Sequence, residues 1–383
     1  MSNKYEILKD DSITLKNGEI LYRIRATRDM TLSNSITAID IKAGELGGYI
    51  MSEKNLSQED KSWVAKDGKV YGDAILEDTI VIAGEVYGKA KVIKSKLSGT
   101  GVYVSDEAIV KESILSDNVK VYDKAIVSEG VITDTVSIYG KSLVMNTEVD
   151  NNSIICDRVK VINSEISESE IKDDAYIVGS KLYNGVKVSN NVTIEHTEVS
   201  NSSIYSHAKV INSTIGSVNI YDKATVIHSE LLGGCHEIYG NTYVIDSNIK
   251  YAYVYDDAKV IGSKVNKGNI YGKANMIDCK SYNSNVSDSA LVKDTELDSS
   301  ELTNTVSVRG SNIAGSSASY SAIIDDSRLA NVSIHDSAVI VSGNVEGSSI
   351  DDASIIIDKE VSDDFVAGIK LKSGNINIDI DFD

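Results

Sequence analysis

The side chains able to do chemistry are few and dispersed. Five histidines (His196, His207, His228, His236 and His335) and three cysteines (Cys156, Cys235 and Cys279) are spread over 383 residues. A thiol and a base adjoin only in Leu232-Gly233-Gly234-Cys235-His236, where an imidazole could activate a thiolate. That stretch reads first as a two-residue insertion, a glycine bulge at a corner. A catalytic zinc needs three converging ligands. His228 and His236 are eight residues apart with no third partner in view, so they read as surface residues. Paired aspartates (Asp256-Asp257, Asp325-Asp326, Asp351-Asp352, Asp363-Asp364) could ligate calcium, but the glycine-rich nonapeptide of calcium-binding solenoids is missing, and solvated turns are the default. No catalytic residue, metal or cofactor is assigned.

The elements that must carry these residues form a repeat. An apolar anchor recurs every sixteen to eighteen residues, through Val70, Val86, Val104, Val121 and on to Ile350, which marks about eighteen coils. Six residues after each anchor comes a second apolar series (Leu76, Val92, Val110 onward). Five further on comes a third (Leu97, Leu115, Val149 onward), broken by Ser281. Between them lie two slots for small residues, mostly Ala four past the anchor and mostly Ser or Thr nine past it; Cys279 sits in the second and reads as a small core substitute. One coil cannot bury its own apolar side chains, but neighbours stacked at about 4.8 Å can. The expectation is an all-β, single-stranded parallel β-helix of three sides. The absence of proline agrees, since each strand's N–H must feed the next coil.

Two exterior stripes stand out. The residue after the anchor is Tyr in many coils, including Tyr205, Tyr221, Tyr239, Tyr255 and Tyr271. Stacked rings would stabilise neighbouring strands, and an aromatic track could also take a glycan or a protein. One position past the second core series stand Ile211, Ile227, Ile245, Ile261 and Ile277. Alternation points them outward, and a contiguous apolar strip of that kind suggests an interface with a partner or a second copy.

Composition sets further bounds. The formal charge is −19, with 57 acidic against 38 basic residues. That disfavours nucleic acid and anionic lipid as partners. An odd, scattered set of cysteines fits a reducing compartment, and no apolar stretch suits a leader or a span. The expected location is the cytoplasm.

Three regions are expected: residues 1–66 as a β-rich N-terminal cap, 67–361 as the solenoid, and 362–383 as a capping or self-pairing strand or hairpin. In the last region Ile376-Asn377-Ile378-Asp379-Ile380-Asp381-Phe382 alternates in period two. Within the first, Leu21-Tyr22-Arg23-Ile24-Arg25-Ala26, Gly44-Glu45-Leu46-Gly47-Gly48-Tyr49-Ile50 and Ser62-Trp63-Val64, followed by V-Y-G-x-A coils, resemble YdcK-type β-solenoids. These are bacterial and phage or prophage proteins similar in architecture to the trimeric hexapeptide-repeat superfamily. The resemblance implies a left-handed solenoid, although sides of six, five and five residues depart from the strict hexapeptide. Hexapeptide-repeat acyltransferases typically place a catalytic His near an extruded loop. All five histidines here are expected at outward, turn or loop positions, with no insertion long enough for such a loop. The functional expectation is therefore a non-enzymatic binding or scaffold protein of bacterial or phage origin, offering an acidic repetitive surface to a protein partner. It could self-associate through the Ile stripe or the C-terminal strand. The alternatives are an acyltransferase-like enzyme and a polyanion mimic that occupies a nucleic-acid-binding protein.

Overall fold

The computed structural model describes residues 3–321 except Cys235, Ser311 and Ser316, and beyond them mainly the strand segments as far as Leu371. The alternating segment Ile376–Phe382 and His335 lie outside the described residues, as does much of the Asp325-Asp326, Asp351-Asp352 and Asp363-Asp364 turns. Among the described residues the chain is all-β with no helix, and its parallel coils form a β-solenoid of about 17 turns. It divides into two compact units, 1–201 and 202–383.

The first unit starts with antiparallel pairing. Strand β1 (Tyr5–Thr14) runs against β2 (Ile20–Ala26), and β2 against β5 (Leu46–Ile50). Strands β3 (Met30–Ser33) and β4 (Ala38–Ile41) form a separate hairpin. The switch to parallel pairing falls between β5 and β6 (Trp63–Val70). There Gly48 is required by close approach, because a Cβ would meet the carbonyl oxygen of Gly68 at 2.2 Å. Lys4 is fully buried at the start of this region. Its ammonium donates to the carboxylate and carbonyl of Asp60 and to the carbonyl of Ser62, at 2.9–3.1 Å.

From β6 onward most coils contribute three short strands, although two sides run on as one strand in places, as in Lys96–Val104, Asn248–Val254 and Lys280–Val286, and strands pair with their equivalents one coil on. In the first unit the second-side ladder runs Val110–Val127–Val144 and the third-side ladder Leu115–Ile132–Val149. In the second unit the corresponding runs are Val210–Val226–Val244 and Leu231–Ile249–Val265. These side chains are fully buried or nearly so, which is how the stacked coils bury the apolar surface that one coil leaves open.

The corners explain the Asp, Asn and Gly content. Each of the three corners holds a residue with positive φ, as at Asp123 (59°), Asn146 (47°) and Asp134 (60°). Asn and Asp tolerate that left-handed region better than other side chains with a Cβ. At the first corner the aspartates do more. The Asp123 carboxylate accepts the Gly140 amide at 3.1 Å, and Asp256 accepts Gly272 at 3.2 Å, so each bridges to the next coil.

The Ser/Thr slot works through backbone. Ser95 Oγ donates to the Ile93 carbonyl at 2.7 Å and accepts the Ser113 amide at 3.1 Å. Cys279 fills the same role, with its amide on Ser263 Oγ at 3.0 Å and its thiol on the Ile277 carbonyl at 3.0 Å. Burial pushes that thiol up to about 11. A third small slot, absent from the sequence reading above, lies two residues before the anchor. In it Ser300 donates its amide to Ser284 Oγ at 3.0 Å.

Candidate functional site

Side chains that face outward in a parallel coil sit on either side of each buried position. On the second side of the second unit this produces two columns. The column after the core position holds Ile211, Ile227, Ile245, Ile261 and Ile277, paired directly, each with the next. All five are half-buried, sheltered by their own neighbours yet open to solvent. The other column includes Lys209, Tyr243, Lys259 and Leu291, all exposed. A hollow of about 630 Å³ lies on this side, its lining including Tyr243, Ile245, Asp257, Lys259, Ile261 and Lys273. Lys259 Nζ stands 6.0 Å from the Tyr243 ring centroid. The second side of the first unit is also apolar in places, with Ile126, Met145 and Tyr176 exposed by 37–38%.

The tyrosine column is a continuous stack. Tyr205, Tyr221, Tyr239, Tyr255 and Tyr271 follow one another with ring centroids 4.8–5.1 Å apart and planes within 6°. Each inner ring therefore has both faces covered by its neighbours. What the column offers outward is ring edges and hydroxyls, which removes the flat platform that sugar stacking would need. Tyr221 donates to the Glu237 carboxylate at 3.0 Å, and burial with that carboxylate raises its ionisation well above the ordinary phenol range.

The histidines do not converge. His196 and His228 occupy second corners with φ of 50° and 48°, and His207 is exposed at a first corner. His228 bonds Asn212 at 2.9 Å and lies 3.4 Å from Asp246. His236 corrects the sequence expectation of an outward or loop position. It is fully buried in the strand His236–Ile238, in register with Val218. The Gly233-Gly234 insertion is taken up before it, leaving the imidazole in the third small slot. Its Nδ1 meets the Gly234 carbonyl oxygen, so Nδ1 carries the proton, and Nε2 has no partner. Desolvation holds its pKa below the ordinary imidazole value. Cys235 lies outside the described residues. Cys156 is buried beside Asp157, its thiol pushed up to about 11 chiefly by desolvation. Among the described residues no group of three or more His, Cys, Asp or Glu is placed to hold a metal ion, and no helix is long and apolar enough to cross a membrane.

No family model matches the chain, and no curated protein matches it. Among solved structures, it is similar to a candidate acetyltransferase from Desulfovibrio desulfuricans G20. The identity is 11%, the TM-score 0.17, and the match covers 82% of this chain and 67% of that one. So loose a superposition carries no functional argument.

Proposed function

We propose that this is a non-enzymatic binding or scaffold protein that presents a repetitive β-surface to a protein partner. The observation that supports the reading is the in-register isoleucine ladder of the second unit, five half-exposed aliphatic side chains in one unbroken row. A soluble surface seldom keeps so contiguous an apolar strip without covering it. The rigid stacked backbone beneath holds the row in place before binding, which lowers the ordering cost of association. The tyrosine stack, with its ring faces occupied, is read as a strand-stabilising ladder. A photo-crosslinking side chain placed at Ile245 and, separately, at Asn219 on the tyrosine side tests the proposal in host lysate. Protein adducts are expected from the Ile245 position and few from Asn219. Equal labelling from both, or none from Ile245, would overturn it.

A further inference from the structure

We propose that the partner segment docked on the isoleucine ladder is an acidic polypeptide; this rests on the reading that the ladder is an interface. Between Lys209 and Arg309 the two outward columns of the second side carry no Asp or Glu, although the chain as a whole is at −19. Their charged members are Lys209, Lys259, Lys293 and Arg309. Among the described residues no carboxylate lies within ion-pairing distance of the three lysines. Lys259 lines the hollow beside Ile245 and Ile261, together with Lys273 and one carboxylate, Asp257. The face is thus an apolar row with cations at its centre and ends, on a molecule that is elsewhere strongly anionic.

That distribution selects among occupants. A second copy laid face to face and antiparallel would set Lys259 against its own equivalent and Lys209 against the coil of Arg309. A nucleic acid would meet the cations but leave the isoleucines against phosphate and sugar. A polypeptide with an apolar row flanked by Asp or Glu satisfies both features. Its carboxylates pair with lysines whose surroundings the contact dries, where each pair is stronger than in water.

The test uses an amphipathic helical peptide of about 18 residues, Leu on one face and Glu on the other, against the same peptide with Lys for Glu. Binding is read by fluorescence anisotropy on the full chain. The Glu peptide is expected to bind, the Lys peptide about tenfold or more weaker, with the Glu complex weakening as salt rises. The triple variant K209E/K259E/K293E should reverse that order, and I245D should lose both peptides. Circular dichroism and the unfolding midpoint check that both variants fold. Equal or stronger binding of the Lys peptide overturns the charge assignment while leaving the interface reading standing. Failure of both peptides, or a dimer in ultracentrifugation that I245D dissolves, overturns the proposal. Tighter binding of a duplex of about 20 base pairs, lost in K209E/K259E/K293E, overturns it in favour of nucleic acid.

Discussion

Ser263 and Ser281 are both buried serines in the second unit, and replacing each with alanine should shift stability in opposite directions. Ser263 Oγ donates to the Ile261 carbonyl at 2.8 Å and accepts the Cys279 amide at 3.0 Å. Ser263→Ala removes two bonds worth about 1 kcal/mol each and strands a buried N–H, for a loss of about 2–3 kcal/mol. Ser281 stands in the third core ladder between Val265 and Leu297, with its hydroxyl unpartnered. An unsatisfied buried hydroxyl costs about 1–3 kcal/mol, so Ser281→Ala should gain about 1 kcal/mol after the slightly larger void is counted. Ser281→Val adds two methyl groups at about 0.8 kcal/mol each and should gain about 2–3 kcal/mol. Its neighbours in the ladder are already Val and Leu, so the extra volume matches the space that neighbouring coils fill. Stability in a repeat array is close to a sum over repeats and their interfaces, so urea midpoints compared at constant slope are the suitable assay. Hydrogen exchange at the Cys279 amide adds a local readout. Destabilisation by Ser281→Ala, or stabilisation by Ser263→Ala, would refute the hydrogen-bond account of both slots.

His236 should make stability depend on pH. Buried and neutral, it resists protonation in the folded chain, whereas the unfolded imidazole takes a proton near its ordinary value of 6.5. Its contribution is therefore intact above pH 6.5 and declines as pH falls below it, by up to about 1.4 kcal/mol per pH unit until the folded site titrates. Unfolding midpoints from pH 8 to 5 for the native chain and His236→Val should diverge toward acid; parallel curves would show that the ring is not buried neutral. At the N-terminus, Asp60→Asn should cost about 3–5 kcal/mol, because it leaves the buried Lys4 ammonium without its counter-charge. Lys4→Met, which removes that charge, should cost less. The same denaturation assay ranks the two, and the reverse order would mean that the carbonyls of Asp60 and Ser62 hold the ammonium on their own.

The repeat period made most of the fold legible. Three apolar residues per coil, at fixed offsets, named the inward ladders because parallel stacking forces equivalent residues into register. The Ile and Tyr stripes followed from alternation alone. Harder to see was what depends on exceptions to the repeat. The sequence puts His236 at an outward, turn or loop position, next to the Gly233-Gly234 insertion at a corner. The chain instead absorbs both glycines at positive φ before the strand resumes, and the ring of Tyr251 lies over them. The slot two before the anchor holds Val, Ala, Gly, Ser or His, a mixture with no compositional signature. Its signal was available in Ser153 and Ser169, and again in Ser284 and Ser300, pairs one coil apart.

The excess of carboxylates has a local cause that bears on function. Three corners per coil each need a residue able to adopt positive φ, and Asp and Asn supply much of that demand, as at Asp78, Asp117 and Asp222. At the first corner the Asp side chain also accepts the next coil's amide, as from Asp173 to Asn190 at 2.9 Å and from Asp288 to Asn304 at 3.1 Å. Such carboxylates are committed to the backbone and cannot be removed without weakening the turn that carries them. Part of the negative charge thus follows from building many tight corners, while the strands of the first and third sides add more, as at Glu148, Glu165, Glu198, Glu230 and Glu237. Charge of this kind opposes close approach of anions along the corners and the acidic sides. The outward columns of the second side in the second unit differ, carrying isoleucine with lysine and no acid between Lys209 and Arg309, and it is this local difference on which the proposed acidic partner rests.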